Sequence, residues 1–111
     1  MSERIFMLNR GDTLKYTYVL PETYSYTEGD RLYFGVTLPK QPFEEALIRK
    51  SYSLTNEDKR EGDNRYFKEI KLEAEETRLL PPATYYYSIK VRKANRDVET
   101  LVNKTKLIII E

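Results

Sequence analysis

The chain lacks three residue types that often give a small protein its chemistry or its covalent support. Its 111 residues include no cysteine, no histidine and no tryptophan. Without cysteine there is neither a disulfide nor a thiolate metal site, which mildly favours an intracellular or phage-like origin over a secreted one. Without histidine the commonest general base and the commonest metal ligand are missing. We therefore predict no enzyme activity, no catalytic residues, no bound metal and no cofactor.

Long apolar runs and a strong charge of one sign are also missing. The longest apolar run, 107–110, is far shorter than the roughly 20 residues of a membrane helix. The N-terminus has no apolar region of signal-peptide length. The 19 basic and 18 acidic residues are interspersed and leave a net charge of +1. We expect no membrane partner, no nucleic-acid partner and no secretion by a signal peptide. The length predicts a single domain, 1–111.

Tyrosine is abundant, with 10 residues, and its placement favours β structure. After Pro81 and Pro82, the segment 85–92 alternates with a period of two, the mark of a half-buried strand. A tyrosine at the start of a strand, directly after a corner, is typical of the tyrosine corner of immunoglobulin-like sandwiches. We therefore expect the Tyr85 hydroxyl to bond back to the upstream backbone while its ring packs inside.

The same alternation, with turn residues between the segments, predicts the other strands. Strands are expected over 5–8, 13–20, 31–38, 47–54, 65–72, 98–102 and 106–110. The start of 44–54 also fits a helix, but a strand is preferred because hairpins join neighbouring strands. We expect one helical turn within 73–80 and a bulge at 103–105. The last strand is expected to be covered on both faces, because an exposed one would invite edge pairing.

These seven or eight strands predict an all-β fold, an immunoglobulin-like antiparallel β-sandwich, although a barrel has a similar strand pattern. The inward positions define the predicted core. Its residues are Leu14, Tyr16, Tyr18, Leu32, Phe34, Val36, Ile70, Leu72, Tyr85, Tyr87, Ile89, Val91, Leu107 and Ile109.

The acidic residues do not form an attractive catalytic or metal site. No acid stands alone in an apolar strand, as the pKa tuning of a paired-carboxylate glycosidase would require. The loop 57–63 offers oxygen ligands for Ca²⁺ but lacks a recognisable ligand spacing.

Three tyrosines are candidate partner-binding residues. Tyr24 and Tyr26 lie on the polar connection 21–30, and Tyr33 lies opposite the inward face of its strand. Exposed tyrosines are large, rigid and amphipathic, so they serve well as contact anchors. The simpler alternative is that they cover the rim of the sandwich.

The order of motifs along the chain points to a known family. Gly11-Asp12 precedes a strand, Glu28 to Phe34 gives Glu-Gly-Asp-Arg-Leu-Tyr-Phe, and Leu80 to Ile89 gives Leu-Pro-Pro-Ala-Thr-Tyr-Tyr-Tyr-Ser-Ile. This order resembles the small immunoglobulin-like domains of tailed-bacteriophage virion proteins, notably the N-terminal domain of the baseplate upper protein family. Ala83 and Ser88 depart from the family, which usually has glycine and aspartate there.

The resemblance implies a non-enzymatic structural or adaptor protein of a phage or prophage particle, in its baseplate, tail or head decoration. Such a protein would act through contacts with other virion proteins or with itself as a homo-oligomer. It would be found in the virion or the cytoplasm of the bacterial host. The sheet edges, the Tyr24–Tyr26 loop and the 55–63 loop are then the expected contact surfaces. The alternative is a carbohydrate-binding module that stacks glycans on its exposed tyrosines.

Overall fold

Seven strands in two sheets make up the computed structural model, which describes residues 4–59, 62 and 65–111. The strands are β1 (Phe6–Asn9), β2 (Leu14–Val19), β3 (Arg31–Thr37), β4 (Ile48–Ser53), β5 (Phe67–Leu72), β6 (Ala83–Arg92) and β7 (Val98–Ile110). Short helical segments are a 3₁₀ turn at Phe43–Glu45, a second at Asn56–Asp58, and the helix α1 (Ala74–Arg78). The expected strand in 47–54 and the expected helical turn in 73–80 are therefore confirmed.

The strand order is that of an immunoglobulin-like sandwich. One sheet has the order β1-β7-β6-β3-β4, and the other pairs β2 with β5. The centre of the larger sheet, β7-β6-β3, corresponds to the G, F and C strands of an immunoglobulin domain, and β4 extends it as in the variable type. The predicted all-β sandwich is confirmed, but it is not wholly antiparallel. β1 runs parallel to β7, with Phe6 opposite Leu107 and Asn9 opposite Ile110.

The core lies between the two sheets and contains most of the residues that alternation predicted. Twelve of them are buried: Tyr18, Leu32, Phe34, Val36, Ile70, Leu72, Tyr85, Tyr87, Ile89, Val91, Leu107 and Ile109. Leu14 and Tyr16 are only half-buried, because they lie in a sheet that has two strands in the described part of the chain. The predicted core did not include the buried side chains Phe6, Leu20, Ile48, Leu54, Leu80 and Val102. Several of these lie at strand ends or in connections, where a period of two gives no information.

The last two predicted strands form one continuous strand, β7, with a bulge where it was expected. Tyr87 pairs with Thr105 and Ile89 pairs with Val102, so β7 has one more residue than β6 in this interval. Lys104 lies there with a φ of 47°, and its backbone N–H donates to Ser88 Oγ at 3.1 Å. The expectation that both faces of the final segment are covered is wrong, because Ile110 is 40% exposed. The hydrogen-bonding edge of this final segment is instead paired with β1.

The polar segment 55–63 is only partly within the described residues. Thr55 caps the 3₁₀ turn, and Lys59 bridges to Tyr66 as the two sides of a hairpin would. Positions 60, 61, 63 and 64 lie outside the described residues. The Ca²⁺ site considered at 57–63 therefore lies partly outside them.

Candidate functional site

The corner before β6 is built by a tyrosine, as the sequence predicts. The Tyr85 hydroxyl donates to the carbonyl of Pro81 at 2.6 Å, and the side chain is 3% exposed. Burial raises the pKa of this phenol, so it stays protonated and keeps donating at neutral pH. This bond fixes the connection between α1 and β6 and places the preceding leucines at the end of the sandwich.

An apolar groove, here called the leucine groove, opens beside that corner. Leu38 follows β3, Leu47 precedes β4 and Leu79 follows α1, so three separate elements end at the same place. The groove has a volume of about 590 Å³. Leu38, Leu47 and Leu79 are 44%, 47% and 79% exposed. Exposed apolar side chains that cluster in one place contribute little to the core and indicate a contact surface.

The rim of the leucine groove carries charge. Glu76 lines it and forms an ion pair with Lys50 at 2.6 Å. Arg49 lines it on the side of β4 and donates to the backbone carbonyl of Glu44 at 3.2 Å. An apolar floor with a polar rim is the usual composition of a protein contact.

A buried carboxylate lies at the opposite end of β3 and β6. Asp30 is 1% exposed and accepts four hydrogen bonds. Two come from side chains, Tyr24 at 2.6 Å and Lys93 at 2.7 Å. Two come from the backbone N–H groups of Thr27 at 3.0 Å and Ala94 at 3.0 Å. This network ties the 21–30 connection to the turn between β6 and β7.

The electrostatics of the network favour a structural role. Burial by itself raises the pKa of Asp30, but the hydrogen bonds from Lys93, Tyr24 and the backbone outweigh it, so the pKa is lowered overall. Burial, followed by the hydrogen bond to Asp30, raises the pKa of Tyr24 far above its usual value. At neutral pH the carboxylate is therefore charged and the phenol neutral. With four donors already bound, the carboxylate has no free position at which to exchange a proton with a substrate.

The structure brings two of the three candidate tyrosines together and separates the third. The ring of Tyr66 stacks on Tyr26 at 5.5 Å and meets Tyr24 edge-on at 5.5 Å. Tyr33 lies on the outer face of the larger sheet, where the guanidinium of Arg92 is 5.9 Å from its ring centre. All three are half-buried. Their role in partner binding stays a prediction, and Tyr66 joins the cluster because its hairpin returns beside the 21–30 connection.

The outer face of the larger sheet forms a second surface, here called the basic face. It is defined by Arg31, Arg49, Lys90 and Arg92 around the rings of Tyr33 and Phe43. Most of these residues line a shallow groove of about 340 Å³, which Glu44 and Val98 also line. Sequence reasoning missed this surface because it judged charge along the chain and not on each face of the strands.

Comparison with known proteins assigns the chain to no family. The chain matches no protein-family model, and it matches no curated protein. Within residues 4–59, 62 and 65–111, no helix has the length and apolar character needed to cross a membrane. The same residues contain no group of three or more acidic side chains arranged to hold a metal ion.

Proposed function

We propose that this chain is a non-enzymatic structural or adaptor protein that acts through protein–protein contacts in a phage or prophage particle. The leucine groove is the observation that carries the contact role. The phage setting is supported by the motif order from Gly11-Asp12 to Ile89, which resembles virion immunoglobulin-like domains. Asp30 is the one buried acid among the described residues, and its hydrogen bonds hold loops together. This arrangement is also consistent with a structural role.

The size of the groove sets a requirement for the partner. Full burial of an exposed leucine side chain contributes roughly 1.5–3 kcal/mol. Because Leu38, Leu47 and Leu79 are already partly covered, burying the rest of all three would contribute about 3–5 kcal/mol. Association costs an estimated 4–15 kcal/mol in lost freedom, which offsets that gain. A stable partner must therefore extend beyond the groove. The adjoining edge of β4, which pairs only with β3 in the described part of the chain, offers backbone groups for such an extension.

Charge introduced into the groove tests the proposal. Self-association is measured by light scattering after size-exclusion chromatography, and binding is measured to the products of neighbouring structural genes. Leu79→Glu and Leu47→Glu should weaken the contact about tenfold or more, because each places a charge in an apolar interface. Met7→Glu, at an exposed apolar residue on β1 outside the groove, is the matched control and should leave the contact unchanged.

Two results would contradict this function. One is a chain that stays monomeric and binds none of the neighbouring gene products. The other is contact that survives both leucine variants. A metabolic operon around the gene would argue specifically against the phage setting.

A second candidate function, glycan binding, is favoured by a polar groove beside Tyr26. This groove has a volume of about 600 Å³ and is lined by hydrogen-bonding side chains, among them Glu28, Ser53, Asn56 and Glu57. An aromatic ring beside polar groups suits a sugar, which has an apolar face and hydroxyl edges. A glycan array should then show binding that Tyr26→Ala abolishes and Tyr86→Ala preserves. An array without hits, or equal binding by both variants, would exclude it.

A further inference from the structure

Every charged position on the outer face of the three strands β4, β3 and β6 is positive. Alternation places Arg49 outward on β4, Arg31 on β3, and Lys90 and Arg92 on β6. The other outward positions of these strands are neutral. A chain with a net charge of only +1 has therefore gathered cations on one face and left most of its acids elsewhere.

The arrangement works against the stability of the sheet. Arg31 and Arg92 are directly opposite each other on β3 and β6, and like charges in such a cross-strand pair are destabilising. Among the described residues, no carboxylate forms an ion pair with Arg31, Arg49, Lys90 or Arg92. The Arg31 guanidinium donates to Ser53 Oγ at 2.9 Å and to Ser51 Oγ at 3.0 Å. Its charge is oriented by these bonds but not neutralised.

Aromatic rings form the floor between the cations. A Cβ on Gly35 would lie 2.5 Å from Phe43 Cε2, so the glycine leaves the space in which the Phe43 ring lies. Lys90 Nζ is 4.8 Å from the centre of that ring. Arg49 lies on one side of this floor, and Lys90 and Arg92 lie on the other. Because β4 and β6 flank β3, the two sides are about 9–10 Å apart, two strand spacings.

We propose that the basic face binds an extended acidic segment of a partner protein, with carboxylates at alternate positions. In an extended chain, alternate side chains lie on one face about 7 Å apart, within reach of long cationic side chains on both sides of the floor. The planar guanidinium groups match carboxylates through paired N–H donors. The ligand supplies the negative charge that β4, β3 and β6 lack.

An acidic protein segment fits this surface better than a nucleic acid does. Nucleic-acid-binding domains usually carry a large basic excess, whereas this chain is near neutral, so a long polyanion would be repelled beyond the face. Stacking of bases needs open ring faces. Here the cationic groups of Arg92 and Lys90 already lie over Tyr33 and Phe43. Arg49 lines both the basic face and the leucine groove, whereas Arg92 lines only the basic face, so Arg92→Glu tests this proposal independently of the leucine contacts.

The test is fluorescence anisotropy with a short labelled peptide of alternating glutamate and serine. A peptide of alternating lysine and serine and a single-stranded oligothymidine of matched charge are the comparison ligands. The acidic peptide should bind, and added salt should weaken it. Arg49→Glu and Arg92→Glu should each raise its Kd about tenfold, the scale of losing one desolvated charge pair. Lys15→Glu, an exposed cation on β2, makes the same charge change elsewhere and should alter Kd less than about twofold.

Arg92→Glu also separates binding from folding. It converts the Arg31–Arg92 pair into an attractive one, so its Tm should rise while peptide affinity falls. Three results would overturn the proposal: no binding of the acidic peptide, equal losses in Lys15→Glu and Arg92→Glu, or tighter binding of the oligothymidine than of the peptide. The last result would assign the face to nucleic acid.

Discussion

At the scale of single residues, Tyr85 and Asp30 act at opposite ends of β6 and β3. Tyr85 bonds to the backbone just before β6. Asp30 precedes β3 and holds Lys93, which directly follows β6. Both side chains hold the connections next to these strands in place and do not take part in the strand pairing itself. The first could be predicted because a tyrosine after two prolines has a known geometry. The Asp30 network could not, because its donors lie up to 64 residues from Asp30 in the chain.

Removing the Tyr85 hydroxyl should weaken the corner while keeping the ring in the core. We expect Tyr85→Phe to lower the free energy of unfolding by about 0.5–1.5 kcal/mol, the usual net contribution of a hydrogen bond. Urea unfolding at neutral pH measures it. The neighbouring Tyr86→Phe makes the same change on the outward face and should stay within about 0.5 kcal/mol of the parent. Equal effects of the two variants would mean that the corner bond does not stabilise the fold.

The Asp30 network predicts a pH dependence on the acid side. Its folded pKa lies below the ordinary value of 3.8, so its stabilisation is complete above that pH and is lost as pH falls through the folded pKa. Asp30→Asn should lower stability by about 3 kcal/mol at pH 7, because Lys93 loses its charged partner. The difference from the parent should shrink below pH 3.8.

Urea titrations across this range measure the effect. Glu69→Gln, at an exposed acid on β5, is the control and should change stability by less than about 0.5 kcal/mol at either pH. A difference between Asp30→Asn and the parent that is independent of pH would show that Asp30 acts through shape alone.

At the scale of elements, alternation and turn chemistry were enough to predict most of the fold. Each predicted strand overlaps an observed one, and the bulge lies at Lys104 within the predicted 103–105. Alternation and turn chemistry could not predict whether two strands pair in parallel or antiparallel. A short apolar segment such as β1 fits a parallel or an antiparallel neighbour equally well, so its place beside β7 depends on the whole fold. The merging of two predicted strands into β7 has a similar cause, because a bulge and a break have the same sequence pattern.

The contact between β3 and the Phe43 turn can be tested as a double-mutant cycle. Gly35→Ala places a Cβ 2.5 Å from Phe43 Cε2, so the ring must move. We expect a loss of about 1–3 kcal/mol, as for other overpacked sites. Phe43→Ala vacates the space, so adding Gly35→Ala to it should cost less than Gly35→Ala does alone. Thermal unfolding of the four proteins gives the coupling. Additive losses would mean that the glycine serves something other than ring placement.

At the scale of the whole molecule, β1 closes the sandwich by joining the start of the described chain to its last strand. Phe6 is buried against Tyr16 at 4.8 Å and Tyr87 at 5.4 Å. Its partner in the sheet is Leu107, so the contact spans nearly the full sequence. Contacts of such separation carry a high loop-closure cost and are expected to form late in folding.

Phe6→Ala should therefore change unfolding more than folding. We expect a loss of about 3–5 kcal/mol from the cavity, expressed mainly as faster unfolding. Stopped-flow kinetics in urea separates the two rates. Ile89→Val, in the central strand β6, should instead slow folding with a smaller loss of about 0.5–1.5 kcal/mol. If Phe6→Ala slowed folding as much as it accelerated unfolding, β1 would belong to the folding nucleus.

The candidate surfaces were less predictable than the fold, because they depend on where distant segments meet. Leu38, Leu47 and Leu79 look like unrelated element ends in the sequence and converge only in the folded chain. The basic face had a usable pattern, because β3, β4 and β6 contain basic residues but no acidic ones, and alternation places Arg31, Arg49 and Arg92 on the same face. Tyr24, Tyr26 and Tyr33 were chosen for exposure, and the structure shows each one partly covered.

The short bond from Tyr24 to Asp30 gives the molecule an optical reporter of its own. With no tryptophan in the sequence, tyrosine emission is not masked by energy transfer to an indole. Light absorption makes a phenol a much stronger acid, and at 2.6 Å the carboxylate is placed to take its proton. The folded chain should thus show a red-shifted, tyrosinate-like emission band that disappears in Tyr24→Phe, and ligand binding near that end could be followed without any label.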